Sequence, residues 1–273
     1  MVGSPIAHSL APVLHRAAYR ALGLHDWEYH REEVAAGELR AYLATRPASW
    51  VGVSVTMPGK EEALAVADER SVEAQRCGAA NTLVRVAGGW AAHNTDIDGV
   101  VAALREAGCL GTPRRAWVGG SGATARSALV ALRAMGVEQV LVQVRGRPRP
   151  ATLKLGAALG MDVVILVPGA DPAPGVVDVA VSTVPAGAVL EVPRTLDLSG
   201  CPALDVVYAP RPTPWSQQVQ ARGAVVVDGS RMLLHQAARQ VQLMTGRAAP
   251  LEQMGQALHD ALSQSSASGA GER

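Results

Sequence analysis

A short apolar run, Ala116-Trp117-Val118, ends in Gly119-Gly120-Ser121-Gly122-Ala123-Thr124-Ala125 and passes at once into a helical pattern, Ala123–Met135, closed by Gly136. A strand that turns on glycines directly into a helix belongs to a sheet whose next strand lies parallel, because the helix carries the chain back across the sheet face. The glycines fit G-x-G-x-x-A. In this context they let the backbone turn tightly and approach a pyrophosphate, while the helix N-terminus offers free N–H groups and the positive end of its dipole. The competing reading is a glycine-rich turn found in any α/β protein.

The rest of the chain repeats the alternation. Gln139–Val144, Asp162–Val167, Val177–Ser182, Ala203–Val207 and Ala224–Val227 are short apolar runs of strand type. Earlier, helical patterns at His15–Leu22, Ala36–Tyr42 and Glu61–Ala67 alternate with strand patterns at Trp27–Glu32 and Val51–Thr56. Thr82–Val86 and Gly89–Ala92 predict a hairpin around Gly88. Alternating strands and helices predict an α/β fold with a parallel sheet covered on both faces. The first part reads as a separate α/β unit, with the join near Asp98-Gly99. A long helical stretch, Gly229–Gly246, is placed to fold back onto it.

The end of the strand after the glycine loop separates two cofactors. An NAD site usually carries Asp or Glu about 20 residues beyond the glycines, to bind the ribose hydroxyls. Here the position is Arg145, followed by Arg147 and Arg149, with no carboxylate between Gln139 and Pro150. A guanidinium forks onto the 2′-phosphate of NADP, which a carboxylate would repel. The plain alternative is a solvated basic loop.

Composition removes other classes. A net charge of +1 over 273 residues gives no bulk pull toward nucleic acid or membrane. No apolar run reaches the roughly 18 residues of a membrane-spanning helix, and no leader pattern opens the chain. Phe is absent, so Val, Leu and Ala must fill the core. Cys77, Cys109 and Cys201 are far apart, which suits a reducing cytosol and no structural zinc. The seven histidines show no metal-ligand spacing and read as surface or packing residues, with no metal expected. The small, polar run Ser263–Arg273 reads as a flexible tail.

Three segments of the first part and three of the second form an ordered set: Gly3-Ser-Pro-Ile-Ala-His-Ser-Leu-Ala-Pro12; Ser54-Val-Thr-Met-Pro-Gly-Lys60; Gly78-Ala-Ala-Asn81-Thr82 with Asn94-Thr-Asp-Ile-Asp-Gly99; Asp205-Val-Val-Tyr208; Thr213-Pro214; and Gly229-Ser-Arg-Met-Leu-Leu-His-Gln236-Ala. From residue 3 to about 246 the chain resembles the shikimate dehydrogenase family. That resemblance implies an N-terminal α/β substrate domain (1–98, completed by 229–262), a Rossmann-like NADP domain (99–228), and C-terminal helices returning to the substrate domain. It implies a cytoplasmic enzyme of aromatic amino acid biosynthesis, monomeric or homodimeric, reducing 3-dehydroshikimate with NADPH. By resemblance Ser9, Thr56, Lys60, Asn81, Asp96, Tyr208 and Gln236 surround the ring. Gly120, Gly122, Ala123, Arg145 and Arg149 hold NADPH, and Gly229 and Met232 lie near the nicotinamide. The residue chemistry agrees. Reducing a ketone needs a proton for the developing alkoxide, which the Lys60 ammonium can give, with Asp96 as its charge partner. Taken singly, Lys60 reads as a helix-start surface lysine and Asp96 as the N-cap of a helix beginning near Ile97.

The chain departs from the family pattern in three places. Ala11 stands where a second serine helps hold the substrate carboxylate. Ser54 replaces the usual Asn. The first strand is short, so the start is expected upstream of Met1, or the protein weakened. These differences keep open a quinate or aminoshikimate dehydrogenase, or a weakly active binding paralogue.

Overall fold

The computed structural model describes residues 1–169, 172–173 and 175–268. The chain opens with β1 (Val2–Gly3), α1 (Ala11–Ala21), β2 (Glu32–Glu33), α2 (Leu39–Ala44), β3 (Gly52–Ser54), α3 (Lys60–Val66), β4 (Glu69–Arg70), α4 (Val72–Cys77), β5 (Thr82–Val86) and β6 (Gly89–His93). There follow α5 (Asp96–Glu106), β7 (Arg115–Gly119), α6 (Ala123–Met135), β8 (Gln139–Gln143), α7 (Pro150–Ala158), β9 (Asp162–Leu166), β10 (Gly175–Val176), β11 (Val179–Ser182), β12 (Leu196–Asp197), β13 (Pro202–Asp205), α8 (Pro214–Ala221) and β14 (Val225–Asp228). The chain closes with α9 (Gly229–Thr245) and α10 (Leu251–Ser268). It divides into two compact units. The first comprises Met1–Gln75, Ala79–Thr95 and Leu233–Arg273; the second comprises Arg76–Gly78 and Asp96–Met232. The divisions fall at Thr95 and inside α9, a few residues from the joins read in the sequence.

In the first unit a sheet of order β3-β5-β6-β4 carries the expected hairpin, with Val86 opposite Gly89. Val53, Val55, Leu83 and Ala92 face a core filled from α2 by Leu39 and Leu43. Helix α1 packs on α10 through a stripe at helical spacing, in which Leu14 and Ala18 are fully buried. The strand expected over Trp27–Glu32 is reduced to Glu32–Glu33. Its partner β1 pairs Val2 with Glu32 and Gly3 with Glu33, and Met1 extends the pairing, its carbonyl accepting the Glu32 N–H (3.0 Å) and its amino group donating to the His30 carbonyl. A cavity of about 310 Å³ lies there, lined by Trp27, Tyr29, Trp50 and Met244 among others. Helix α10 continues through Ser268, into the segment read as a tail, because Ser and Ala are tolerated in a helix once an amphipathic stretch has nucleated it. Residues 269–273 lie outside the described residues.

The second unit is a parallel sheet of order β14-β13-β11-β7-β8-β9. Counting from β7, the order is 3-2-1-4-5-6 read from the β9 edge, the doubly wound arrangement. Period-2 alternation sorts its side chains. Val118, Val140 and Val142 enter the core beneath α5 and α6, whereas Trp117 and Leu141 enter the one beneath α8. Arg126 on α6 is 2% exposed and donates to the Cys77 carbonyl (2.5 Å) and the Gly78 carbonyl (3.3 Å). These bonds explain why Arg76–Gly78 belongs to this unit. Among the described residues no helix is long and apolar enough to cross a membrane.

Candidate active site

In the first unit two loops that the sequence marked run side by side. Ser4 N–H donates to the Met57 carbonyl (2.9 Å) and Thr56 N–H to the Val2 carbonyl (2.9 Å). Ser9 follows in the first loop; its hydroxyl donates to Met1 Sδ (2.8 Å) and accepts the Ala11 N–H (3.3 Å). Lys60 opens α3, half-buried, and its carbonyl accepts the Ala80 N–H (2.8 Å), which ties the helix start to the segment leading into Asn81.

Asn81 is 2% exposed and its orientation is settled by a backbone donor: Oδ1 accepts the Thr95 N–H (2.8 Å) and the Thr82 hydroxyl (2.9 Å). Its Nδ2 therefore faces Gln236 Oε1 (3.2 Å) and Thr95 Oγ1 (3.0 Å). The structure thus brings Asn81 and Gln236 together from 155 residues apart in sequence. Behind them lies a buried cluster that sequence reasoning missed. Gln240 Nε2 donates to Thr82 Oγ1 (3.0 Å) and to the Asn81 carbonyl (3.3 Å). Its Oε1 accepts from Ser54 (2.9 Å) and lies 3.1 Å from His15 Nε2. Ser54 in turn accepts from Tyr29 (2.7 Å), whose ring stacks on His15 at 4.0 Å. Burial pushes the His15 pKa down to about 3, so the ring is neutral. The only signal in the sequence was polar residues on otherwise apolar helix and strand faces.

In the second unit the glycine loop leaves β7 next to β11, where the strand order reverses and ligands of such sheets bind. Gly120 has φ +104, and a Cβ there would lie 2.5 Å from Thr183 Oγ1, so only glycine fits. Thr183 braces the loop by donating both its N–H (2.8 Å) and its hydroxyl (2.7 Å) to the Gly119 carbonyl. Gly122 is the N-cap of α6, extended and with no side-chain cap bond, and Ala123 is the first helical residue. A Cβ on Gly122 would meet nothing within 4 Å. The first turn of α6 thus has no side-chain cap and clear space beside its N-cap, a cradle fit for phosphate. Arg145, Arg147 and Arg149 are exposed beyond β8. The basic loop is pinned to the glycine loop, with Arg149 N–H donating to Ser121 Oγ (3.2 Å) and the Thr152 hydroxyl donating to the Ser121 carbonyl (2.7 Å).

Asp96 is 4% exposed and is the first residue of α5 rather than the cap before it. Tyr208 is half-buried just past β13. Asp205, buried and with its pKa raised by that burial, accepts from Val207 N–H (3.2 Å) and the Thr213 hydroxyl, fixing the segment that carries Tyr208. Gly229 starts α9, its N–H bonded to the Val207 carbonyl (3.2 Å), and Met232 packs into the core. Lys60 falls in the first unit and Asp96 in the second. Among the described residues no cluster of His, Cys, Asp and Glu could hold a metal.

Residues 1–83 match the model of the shikimate dehydrogenase substrate binding domain, and residues 229–259 that of the shikimate 5'-dehydrogenase C-terminal domain. The shikimate dehydrogenase (NADP(+)) of Thermosynechococcus vestitus is 35% identical, covering 96% of this chain and 94% of the relative. The chain belongs to the shikimate dehydrogenase family. The crystal structure of Mycobacterium tuberculosis shikimate dehydrogenase is 43% identical, with a TM-score of 0.79 over 95% of this chain and 97% of that one. The Thermus thermophilus shikimate 5-dehydrogenase in complex with NADP(H) and shikimate is 31% identical, with a TM-score of 0.78 over 95% and 97%.

Ala11 stands where the family resemblance leads one to expect a serine for the substrate carboxylate. It opens α1 and is 2% exposed, and only its N–H reaches Ser9. Restoring the hydroxyl with Ala11→Ser is expected to lower the shikimate KM about tenfold with kcat little changed, since a bond to a charged carboxylate is worth about 1.5–3 kcal/mol and is present before and during reaction. Steady-state kinetics check this; an unchanged KM means the carboxylate is held elsewhere.

Proposed function

We propose that this chain catalyses the reversible NADPH-dependent reduction of 3-dehydroshikimate to shikimate. The observation that carries the reading is the 35% identity to a shikimate dehydrogenase (NADP(+)) across 94% of that relative. The uncapped N-terminus of α6, with Gly120 and Gly122, receives the pyrophosphate, and Arg145 and Arg149 take the 2′-phosphate. Gly229 and Met232 lie toward the nicotinamide. NADPH, when bound, supplies the hydride. Ser9, Thr56, Asn81, Asp96, Tyr208 and Gln236 orient the ring through its hydroxyls and carboxylate. Lys60 gives a proton from Nζ to the ring oxygen as negative charge develops there.

The test is kcat/KM for shikimate and quinate, each with NADP and NAD. Shikimate with NADP should be best by a wide margin. In Arg145→Asp the NADP preference should fall tenfold or more, because charge-assisted bonds of about 1.5–3 kcal/mol are replaced by repulsion. Equal use of NADP and NAD by the native enzyme would sink the 2′-phosphate assignment, and faster turnover of quinate would move the substrate to that acid.

A further inference from the structure

Four polar side chains of the first unit form one chain of hydrogen bonds with a single direction. Its sense is fixed at three points by backbone carbonyls or N–H groups, which cannot exchange roles. Gln240 Nε2 faces the Asn81 carbonyl, so it is the amide nitrogen. Asn81 Oδ1 faces the Thr95 N–H, so it is the oxygen. Gln236 Nε2 faces the Leu233 carbonyl at 3.1 Å, so Gln236 Oε1 is what Asn81 meets. The Thr82 hydroxyl accepts from Gln240 and must spend its one proton on Asn81 Oδ1. The bonds run from Gln240 to Thr82 to Asn81 to Gln236.

Gln240 is 1% exposed and cannot reverse. A flipped amide would set its oxygen against the Asn81 carbonyl, which can only accept. We infer that Gln240 is a positioning residue: through the Asn81 carbonyl and Thr82 it holds in place the Asn81 side chain that, with Gln236, meets the ring. This rests on the reading that Asn81 and Gln236 hold the ring. Without Gln240 the Asn81 carbonyl and the Thr82 hydroxyl each lose a donor; the Thr95 N–H still sets which end of the Asn81 amide is the oxygen, but the Thr82 hydroxyl can turn away and the amide is held less firmly.

The experiment is steady-state oxidation of shikimate by the full chain carrying Gln240→Met, Thr82→Val and both. Gln240→Met should raise the shikimate KM about tenfold, with kcat within about threefold and the NADP KM within about twofold. Thr82→Val should do the same, and the double variant should be no worse than the larger single effect, because both cut one relay. Effects that multiply in the double variant, or an unchanged shikimate KM, overturn the inference. Should Gln240→Met fail to fold, Gln240→Glu keeps the volume. Its shikimate KM should rise with pH relative to the native enzyme, since only a protonated carboxyl can donate to Thr82; a parallel pH profile overturns the relay. Asn81→Ala and Gln236→Ala separate the two levels. If neither moves the shikimate KM, the reading of the ring site fails. If both do and Gln240→Met does not, only the relay fails.

Discussion

Lys60→Ala is expected to lower kcat for shikimate oxidation by about 10²-fold or more, about 2.7 kcal/mol of barrier, with a smaller change in shikimate KM. The location of Lys60 makes the experiment clean. It is the first residue of α3, where the helix dipole disfavours a cation and favours the acids that follow, Glu61 and Glu62. Glu62 also caps the neighbouring segment, accepting the N–H groups of Gly37 (3.0 Å) and Arg40 (3.3 Å). A lysine at a helix start is thus disfavoured by the helix dipole, an unfavourable interaction that Lys60→Ala relieves. Thermal unfolding of the variant should match the native protein while turnover collapses. A variant with near-native kcat would make Lys60 a surface residue and leave the proton donor unassigned.

Gly229→Ala should act on the fold itself. A Cβ at this position would lie 2.1 Å from the Val206 carbonyl oxygen and 2.4 Å from its carbon. Those are backbone atoms of the segment leaving β13, which cannot swing aside as a side chain could. The start of α9 must move away, breaking the Gly229–Val207 bond and shifting the segment that carries Tyr208. Overpacking against backbone costs about 3 kcal/mol, and the unfolding midpoint should fall by about 6–12 °C. Calorimetry checks this, and a midpoint within 2 °C or so of the native value would show that the helix start accommodates the methyl group.

Legibility in the sequence followed the range of the interactions. Helix α6 was readable to the residue, because glycines mark both of its ends and its apolar spacing is local. The strands of the parallel sheet were readable as apolar runs, since both faces are buried. The strand expected over Trp27–Glu32 was not, because whether a β-type run pairs depends on a partner elsewhere, and β1 offers two residues. Within the site, residues in contiguous motifs were legible as motifs. The support behind them was not. His15 and Gln240 meet across 225 residues, and each alone reads as a packing or surface residue on its helix. Arg126 belongs to no motif read in the sequence, and it is buried on α6 to hold the Cys77 and Gly78 carbonyls. Ser54, a departure from the family pattern, is legible only beside Tyr29 and Gln240, whose atoms it joins.

The buried cluster behind Asn81 is built from amides, hydroxyls, phenols and one neutral imidazole, and so it is electrically silent under most assay conditions. Burial pushes the Tyr19 and Tyr29 phenols up and the His15 imidazole down to about 3. The charge state of the cluster is thereby constant through the neutral range, and it adds no step to a pH profile of kcat/KM there. The same arrangement fixes where acid strikes. In the unfolded chain His15 takes up a proton near pH 6.5, which the folded state refuses until about 3, so this contribution to stability is whole above pH 6.5 and drains away as the pH falls from there toward 3. Acid thus attacks the first unit through its buried scaffold.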